Sequence, residues 1–314
     1  MIRRIASFSL LALLPVLAHA DPATDYATHC AVCHGDDRLG GTGPALIPET
    51  LGRLKGIDQV IAKGRVSTQM VGYEAELSPD EIAALVDYLK SPRDHAATWS
   101  EAQIAESRQM NPDYKPASAP VFKADPMNIT LVVETGDHHV SVLDGDTFQV
   151  LDRFATPFAV HGGPKFSPDG RYVFIMSRDG WVQKYDIWSL SEVGRIRAGL
   201  NSRNIAMSHD GKWLAVANYL PASLTILSTD DLGVAREVPV VARDGAESRV
   251  SAVYQAPERK SFVLALKDAP EIWEIATDPD AGPFHDGFVH SYEKGMEEAL
   301  DAQKGLFARR RIMT

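Results

Sequence analysis

Cysteine is almost absent from this chain, with 2 in 314 residues. A zinc site needs four ligands at comparable spacing, and no further Cys exists to supply them. Positive charge is also short: 32 Lys and Arg stand against 42 Asp and Glu, a net charge of −10. An acidic surface argues against nucleic acid and anionic lipid as partners. Long apolar runs are missing too. After residue 20 no segment is apolar enough to span a bilayer.

What is there is concentrated. Both cysteines fall in Cys30-Ala31-Val32-Cys33-His34, a C-x-x-C-H pattern. The pattern is the attachment signature of a c-type haem. Two thiols on one helical turn reach two vinyl groups of one porphyrin, and the next residue aims an imidazole at the iron. A thioredoxin-like redox pair is the alternative for C-x-x-C alone, and the adjacent His favours haem. Covalent haem c is therefore the expected cofactor, with Cys30 and Cys33 holding it and His34 as proximal iron ligand.

Residues 1–20 read as a secretory signal. Arg3 and Arg4 give a basic start, Leu10 to Leu17 a short apolar run, and Ala18-His19-Ala20 a small-x-small cleavage site. An uncleaved anchor is the alternative. Cleavage removes two basic and no acidic residues, leaving a net charge of −12. Export points to a periplasmic location, which agrees with covalent haem attachment.

Residues 21–92 form the first expected domain. Gly40 to Leu46 is a glycine-rich turn able to lie against the proximal haem face and offer a carbonyl to His34. The closing helix has Ser78 as N-cap, Pro79 at its first position and Glu81 completing a capping box. Ile82, Leu85, Val86 and Leu89 follow at i, i+3, i+4 and i+7, one apolar stripe. Met70, 36 residues after His34, is the only Met between the motif and this helix. It is the candidate sixth iron ligand, the alternative being a Met that packs on the haem edge. Residues 24–91 resemble a class I cytochrome c, which implies an all-α domain.

Residues 93–127 lack clear periodicity and contain Pro112, Pro116, Pro120 and Pro126. They read as a linker packed over the surface, with His95 solvated. From Asn128 the pattern changes to short β runs. Two near-copies stand out, one around Phe166-Ser167-Pro168-Asp169-Gly170 and one around Met207-Ser208-His209-Asp210-Gly211, a period of 41. Weaker units run over Ile129–Phe154 and Val250–Ile275. Asp-Gly between β runs is a hairpin signal, and a period near 40 with four strands per unit marks a β-propeller. Residues 128–314 thus read as an all-β propeller. They supply about four blades, where closed rings commonly have about six to eight. The terminal Arg309-Arg310-Arg311-Ile312-Met313-Thr314 is not expected to form a closing strand, and the chain reads as a C-terminal truncation.

The segment His161-Gly-Gly-Pro-Lys-Phe-Ser-Pro-Asp-Gly-Arg-Tyr172 resembles the haem d1 propeller of the cytochrome cd1 family. Ser177-Arg-Asp-Gly-Trp181, Ala198-Gly-Leu-Asn-Ser-Arg-Asn204, Ala217-Asn-Tyr-Leu-Pro221, Ser248-Arg-Val-Ser-Ala-Val-Tyr254 and Ala265-Leu-Lys-Asp-Ala-Pro270 are similar to its NirN-type dihydro-haem d1 dehydrogenase branch. The resemblance implies about four blades of an expected eight, and non-covalent haem d1 or dihydro-haem d1. It implies His161 as the d1 iron ligand; a strand-end hydrogen bond is the alternative. Arg178, Arg203 and Arg249 recur near inner-strand positions of successive blades and suit the d1 carboxylates, with blade-to-blade bonds as the alternative. Tyr219 would line the same pocket. His285, before Asp286-Gly287, is a weak catalytic candidate. His138 and His139 read as surface or turn residues, and His290 follows the fourth blade.

The implied activity is oxidation of dihydro-haem d1 to haem d1, the last step of haem d1 biosynthesis in denitrification, with electrons leaving through haem c. Expected partners are the tetrapyrrole, a periplasmic electron acceptor, and nitrite reductase or other haem d1 maturation proteins. The alternatives are a cytochrome cd1 nitrite reductase, a non-catalytic haem d1 carrier, and an electron-transfer cytochrome.

Overall fold

The computed structural model describes residues 21–52, 54–66, 68–157, 160–161, 163–285 and 302–314. The signal segment, Asp286, Gly287 and His290 lie outside the described residues.

The N-terminal unit is helical: α1 Pro22–His29, α2 Ala31–His34, α3 Pro48–Leu51, α4 Ile57–Lys63 and α5 Pro79–Lys90. The capping box at the start of α5 forms as its sequence dictates. Ser78 Oγ accepts from the Glu81 amide, and Glu81 Oε2 accepts from the Ser78 amide at 2.8 Å. The helix buries Ile82, Leu85 and Leu89 against Tyr26, Leu51, Ile61 and Leu77. Full burial of each leucine contributes about 1.5–3 kcal/mol. Tyr26 donates its hydroxyl to the His34 and Gly35 carbonyls at 3.2 and 2.6 Å, tying α1 to the end of α2.

Residues 93–127 do more than cover the surface. They form α6 Glu101–Glu106 and β1 Gln109–Met110. Ile104 of α6 is fully buried among Phe174, Met176, Ile196 and Leu232. Tyr114 donates to Asp186 Oδ2 at 2.8 Å, and the Ala117 carbonyl accepts from Arg171 at 3.1 Å. The prolines suppress a long periodic pattern, but single side chains still find the sheets.

Four consecutive antiparallel sheets follow. The first is β2 Ile129–Glu134, β3 His139–Asp144 and β4 Val150–Ala155. The second orders β5 Lys165–Phe166, β6 Tyr172–Met176, β7 Trp181–Asp186 and β8 Ser191–Arg197, with β1 added outside β8. The third is β9 Asn201–Met207, β10 Trp213–Leu220, β11 Ser223–Ser228 and β12 Val234–Pro239. The fourth starts with β13 Val250–Ala256, β14 Ser261–Leu266 and β15 Glu271–Ala276. A small hairpin, β16 Phe284–His285 with β17 Ala302–Gln303, precedes the last strand.

That last strand, β18 Arg309–Met313, corrects the sequence expectation. It pairs with β15 and completes the fourth sheet. The arginines find partners on β15. Arg310 reaches Glu274 on β15, and Arg309 and Arg311 lie over the Trp273 ring at 4.4 and 5.5 Å. Alternation along β18 separates these two roles.

The repeated Asp-Gly turns are superimposable in their bonding. Asp169 accepts from Ser167 Oγ and the Arg171 amide, and Asp210 from Ser208 Oγ and the Lys212 amide. Gly170 and Gly211 both sit at left-handed φ, 71° and 73°. The first strands β5, β9 and β13 neighbour one another across sheets. They therefore form the inner wall around which the sheets fan out, as in a propeller.

Candidate functional site

The first centre is built on the α1–α2 junction. Cys30 caps α1, and Cys33 and His34 sit on the next turn, so both thiols and the imidazole share one short stretch of helix. Both cysteines are free. Burial, Asp25 and Cys33 push the Cys30 thiol up to about 11. His34 is buried, and its Nδ1–H donates to the Pro44 carbonyl at 2.8 Å. Burial holds its pKa below the usual imidazole range. The ring is thus neutral with its proton on Nδ1, which leaves the Nε2 lone pair for a metal.

The Gly40–Pro44 turn explains why this geometry holds. Gly40 donates its amide to the His34 carbonyl at 2.8 Å, and Gly43 donates to the Cys33 carbonyl at 2.7 Å. A Cβ on Gly43 would stand 2.7 Å from His34 Cε1 and 2.8 Å from Nδ1. The imidazole lies flat against a position that only glycine leaves open. Val32, between the two cysteines, is 86% exposed.

Met70 is half-buried in the loop between α4 and α5. Its carbonyl accepts from the Arg65 amide at 2.9 Å, and its amide donates to Thr68 Oγ1 at 3.1 Å. Gly64 and Gly72 permit the close chain crossing there; a Cβ on Gly64 would meet the Met70 carbonyl oxygen at 2.4 Å.

The second centre lies on one face of the sheets. His161 precedes β5, with its amide donating to the Met176 carbonyl at 2.8 Å. Its Nδ1–H donates to the Arg203 carbonyl at 2.8 Å. Partial burial and the Arg178 guanidinium lower its pKa. Again the imidazole is neutral, with Nε2 left as a free lone pair.

Arg203 is on the inner strand β9, and its Nε is buried without a hydrogen-bond partner. Tyr219, near the end of β10, is flanked by two guanidiniums, Arg203 at 4.3 Å and Arg249 at 5.1 Å from the ring centre. Arg249 immediately precedes β13 and is already engaged. Its Nε and Nη2 meet Asp268 Oδ2 and Oδ1 at 2.8 and 2.5 Å. That pairing holds the Asp268 carboxyl down at about 2. Arg203 therefore has donor capacity to spare for a ligand carboxylate, whereas Arg249 has one edge of its guanidinium already committed to Asp268.

Arg178 occupies the β6–β7 turn, Ser177-Arg178-Asp179-Gly180, and its carbonyl accepts from the Ser202 amide of the inner strand β9 at 2.9 Å. The turn forms because Gly180 adopts φ 91°. The turn still lies on the His161 side, since His161 bonds the end of β6. His285 is placed apart. Its β16 strand adjoins β18, the outermost strand of the fourth sheet, and Arg310 lies over the neighbouring Phe284 ring at 5.6 Å. Its Nδ1 is buried without a partner. His138 (φ 60°) and His139 are in the β2–β3 turn region of the first sheet.

Sequence reading missed Asp268 and Asp179. Both lie in the turn between the second and third strands of their sheets, a shared position visible once strand register is known. Arg197, at the end of β8, was missed as well; no local signal marks it.

A helical unit with two thiols and an oriented imidazole on one turn, followed by fanned sheets carrying a second oriented imidazole, defines a cytochrome c domain joined to a propeller-type β domain. Residues 18–89 match the family described as cytochrome c oxidase, cbb3-type, subunit III. Residues 124–285 match the cytochrome d1 haem domain, and the chain belongs to that family. It is 49% identical over 278 residues to a dihydro-haem d1 dehydrogenase of Pseudomonas aeruginosa, covering 87% of this chain and 56% of that protein. A nitrite reductase of Stutzerimonas stutzeri is 26% identical over 304 residues, covering 85% and 54%. The solved structure of the dihydro-haem d1 dehydrogenase NirN in complex with DHE aligns with a TM-score of 0.76 and 45% identity, over 90% of this chain and 59% of that one. The chain thus spans a little over half the length of these relatives.

Proposed function

We propose that this chain is the cytochrome c and partial propeller portion of a periplasmic dihydro-haem d1 dehydrogenase. The observation that carries the reading is the pairing of His161, its Nδ1 fixed on the Arg203 backbone carbonyl, with Arg203, whose guanidinium Nε is buried without a hydrogen-bond partner. These two hydrogen-bonded residues would offer one iron ligand and one carboxylate clamp. The substrate carries an iron and several carboxylates, so both features find a counterpart. The domains proposed are 21–92, a linker 93–127 and 128–314, with four of about eight blades present.

His161 would bind the substrate iron, and Arg203, with Arg178, Arg249 and Tyr219, would set the macrocycle's orientation. Oxidation of a propionate side chain to its unsaturated form breaks two C–H bonds and makes one C=C bond. Two electrons and two protons leave. Cys30, Cys33, His34 and Met70 would hold haem c, which would supply a one-electron carrier, so each turnover would need two transfers outward. The acceptor is a periplasmic redox partner, and the product would pass to nitrite reductase or another maturation protein. Among the described residues no helix is long and apolar enough to cross a membrane.

The test compares turnover of dihydro-haem d1 with turnover of nitrite, for the protein carrying this chain and its His161→Ala variant. The reading requires oxidation of dihydro-haem d1, and an altered iron spectrum with weaker binding in the variant. Nitrite turnover would identify a reductase, binding without turnover a carrier, and no binding an electron-transfer cytochrome; each outcome would overturn the proposal.

A further inference from the structure

Arg197 is a guanidinium taken almost wholly out of water, 3% exposed, at the seam between the helical unit and the sheets. Nothing in the site described above uses it. A buried cation of this kind persists only when its donors are met. Its Nε–H donates to the Asp179 carbonyl at 2.9 Å, on the sheet side. Its Nη2 donates to the Leu39 carbonyl at 2.8 Å and Nη1 to the Gly40 carbonyl at 3.4 Å, on the helical side. The guanidinium lies over the Trp99 ring at 5.0 Å, and the Arg197 carbonyl accepts from Trp99 Nε1 at 2.8 Å. The Arg197 amide donates to Ser107 Oγ at 2.9 Å. The residue is gripped from the propeller, the helical unit and the segment that joins them.

Both ends of this bridge touch the two centres. Gly40 bonds the His34 carbonyl and opens the turn whose Pro44 carbonyl orients the His34 ring. Asp179 follows Arg178, the cation beside His161. An apolar plug surrounds the bridge: Leu39, Ala45 and Ile47 from the helical unit meet Leu200 from the sheets, with Trp99 and Leu220 at the edge. Such a plug excludes water and fixes distance, while the forked guanidinium fixes orientation.

We infer that Arg197 is a positioning residue for electron transfer between the two centres, holding the Leu39–Pro44 turn, whose Pro44 carbonyl orients His34, against the Asp179 turn next to His161. The inference rests on the proposed function for its substrate but not for its geometry. Lys at this position keeps the charge and cannot serve three carbonyls from one planar fork. The rate of electron transfer between two separated centres falls steeply as the distance between them grows. Electron transfer through this seam depends on the same distance.

The experiment uses Arg197→Lys and Arg197→Met in the full protein. Haem c content, haem c potential and dihydro-haem d1 affinity are measured at equilibrium. The rate of haem c reduction after rapid mixing with dihydro-haem d1 is measured in a single turnover, and amide hydrogen exchange is followed at Leu39, Gly40 and Gly41. For Arg197→Lys we expect unchanged content, potential and affinity, slower haem c reduction, and faster exchange at the three amides. Reduction at the wild-type rate with unchanged exchange would overturn the inference, as would slowing fully accounted for by a shifted haem c potential. If the wild-type protein does not bind dihydro-haem d1, the proposed function fails. Exchange then decides the clamp alone: faster exchange in both variants upholds it, and unchanged exchange overturns it. Should Arg197→Met not fold, Arg197→Lys alone decides.

Discussion

Replacing Gly43 by alanine is a one-atom test of the haem c centre. The backbone there does not need a left-handed conformation, since Gly43 is not among the positive-φ residues. The nearest obstacle to a methyl group is the His34 ring, 2.7 Å from the position a Cβ would take. Ordinary contact begins at 3.4 Å, so the ring must retreat by about 0.7 Å or tilt. Either motion strains the 2.8 Å bond from His34 Nδ1–H to the Pro44 carbonyl. Losing a partner for a buried donor costs about 1–3 kcal/mol. That bond also makes the imidazole a stronger donor to iron and favours the oxidised state. A net bias of about 1 kcal/mol between oxidation states corresponds to about 40 mV for one electron. Gly43→Ala is therefore expected to keep covalent haem, lower the melting temperature, and raise the haem c potential by some tens of millivolts. Spectroelectrochemical titration and haem-stained denaturing gels measure these. A wild-type potential and an unchanged melting temperature would refute the packing argument, because the three nearest atoms to that Cβ all belong to the His34 ring.

Four further outcomes are expected. Met70→Ala should abolish the weak near-infrared sulfur-to-iron band of oxidised haem c, and a wild-type protein without that band would remove Met70 as ligand. Arg203→Gln should weaken dihydro-haem d1 binding by about 1.5–3 kcal/mol, with no change in iron ligand field. Arg249→Gln should weaken it less, because Arg249 is already paired with Asp268; the reverse ranking in a titration would refute that order. Asp179 is deeply buried and pushed up to about 6 by that burial, from 3.8. The folded state then holds a proton that the unfolded state has lost between about pH 4 and 6, so this group's contribution falls as pH rises through that window. The shift of roughly two units amounts to about 3 kcal/mol. Denaturant unfolding at pH 4.5 and 7 should show Asp179→Asn losing that decline relative to wild type, and parallel pH curves would refute it.

What the sequence discloses follows how far apart the partners lie. The Ser78–Glu81 capping box and the paired Asp-Gly turns are complete within six residues, so their geometry was readable from the residues themselves. Cys30, Cys33 and His34 are equally local. The carbonyl for His34 lies only ten residues away, and the glycine-rich turn announced it. The terminal arginines failed the same reading because their meaning depends on Trp273 and Glu274, which register places opposite them. A run of cations reads as solvated until a buried indole and a carboxylate are found beneath it. The same applies to Arg178 and Arg203. Both sit in Ser-Arg sequences, yet one makes a turn and the other an inner strand, and the difference is set by Gly180 and by pairing with β10. Arg197 is the limiting case. Its acceptors in the helical unit are 157 and 158 residues away in the chain, and its surroundings on β8 look like those of any strand-end cation. Residues that form a centre by chemistry are visible from type and spacing. Residues that join one centre to another become visible only once the fold has placed both.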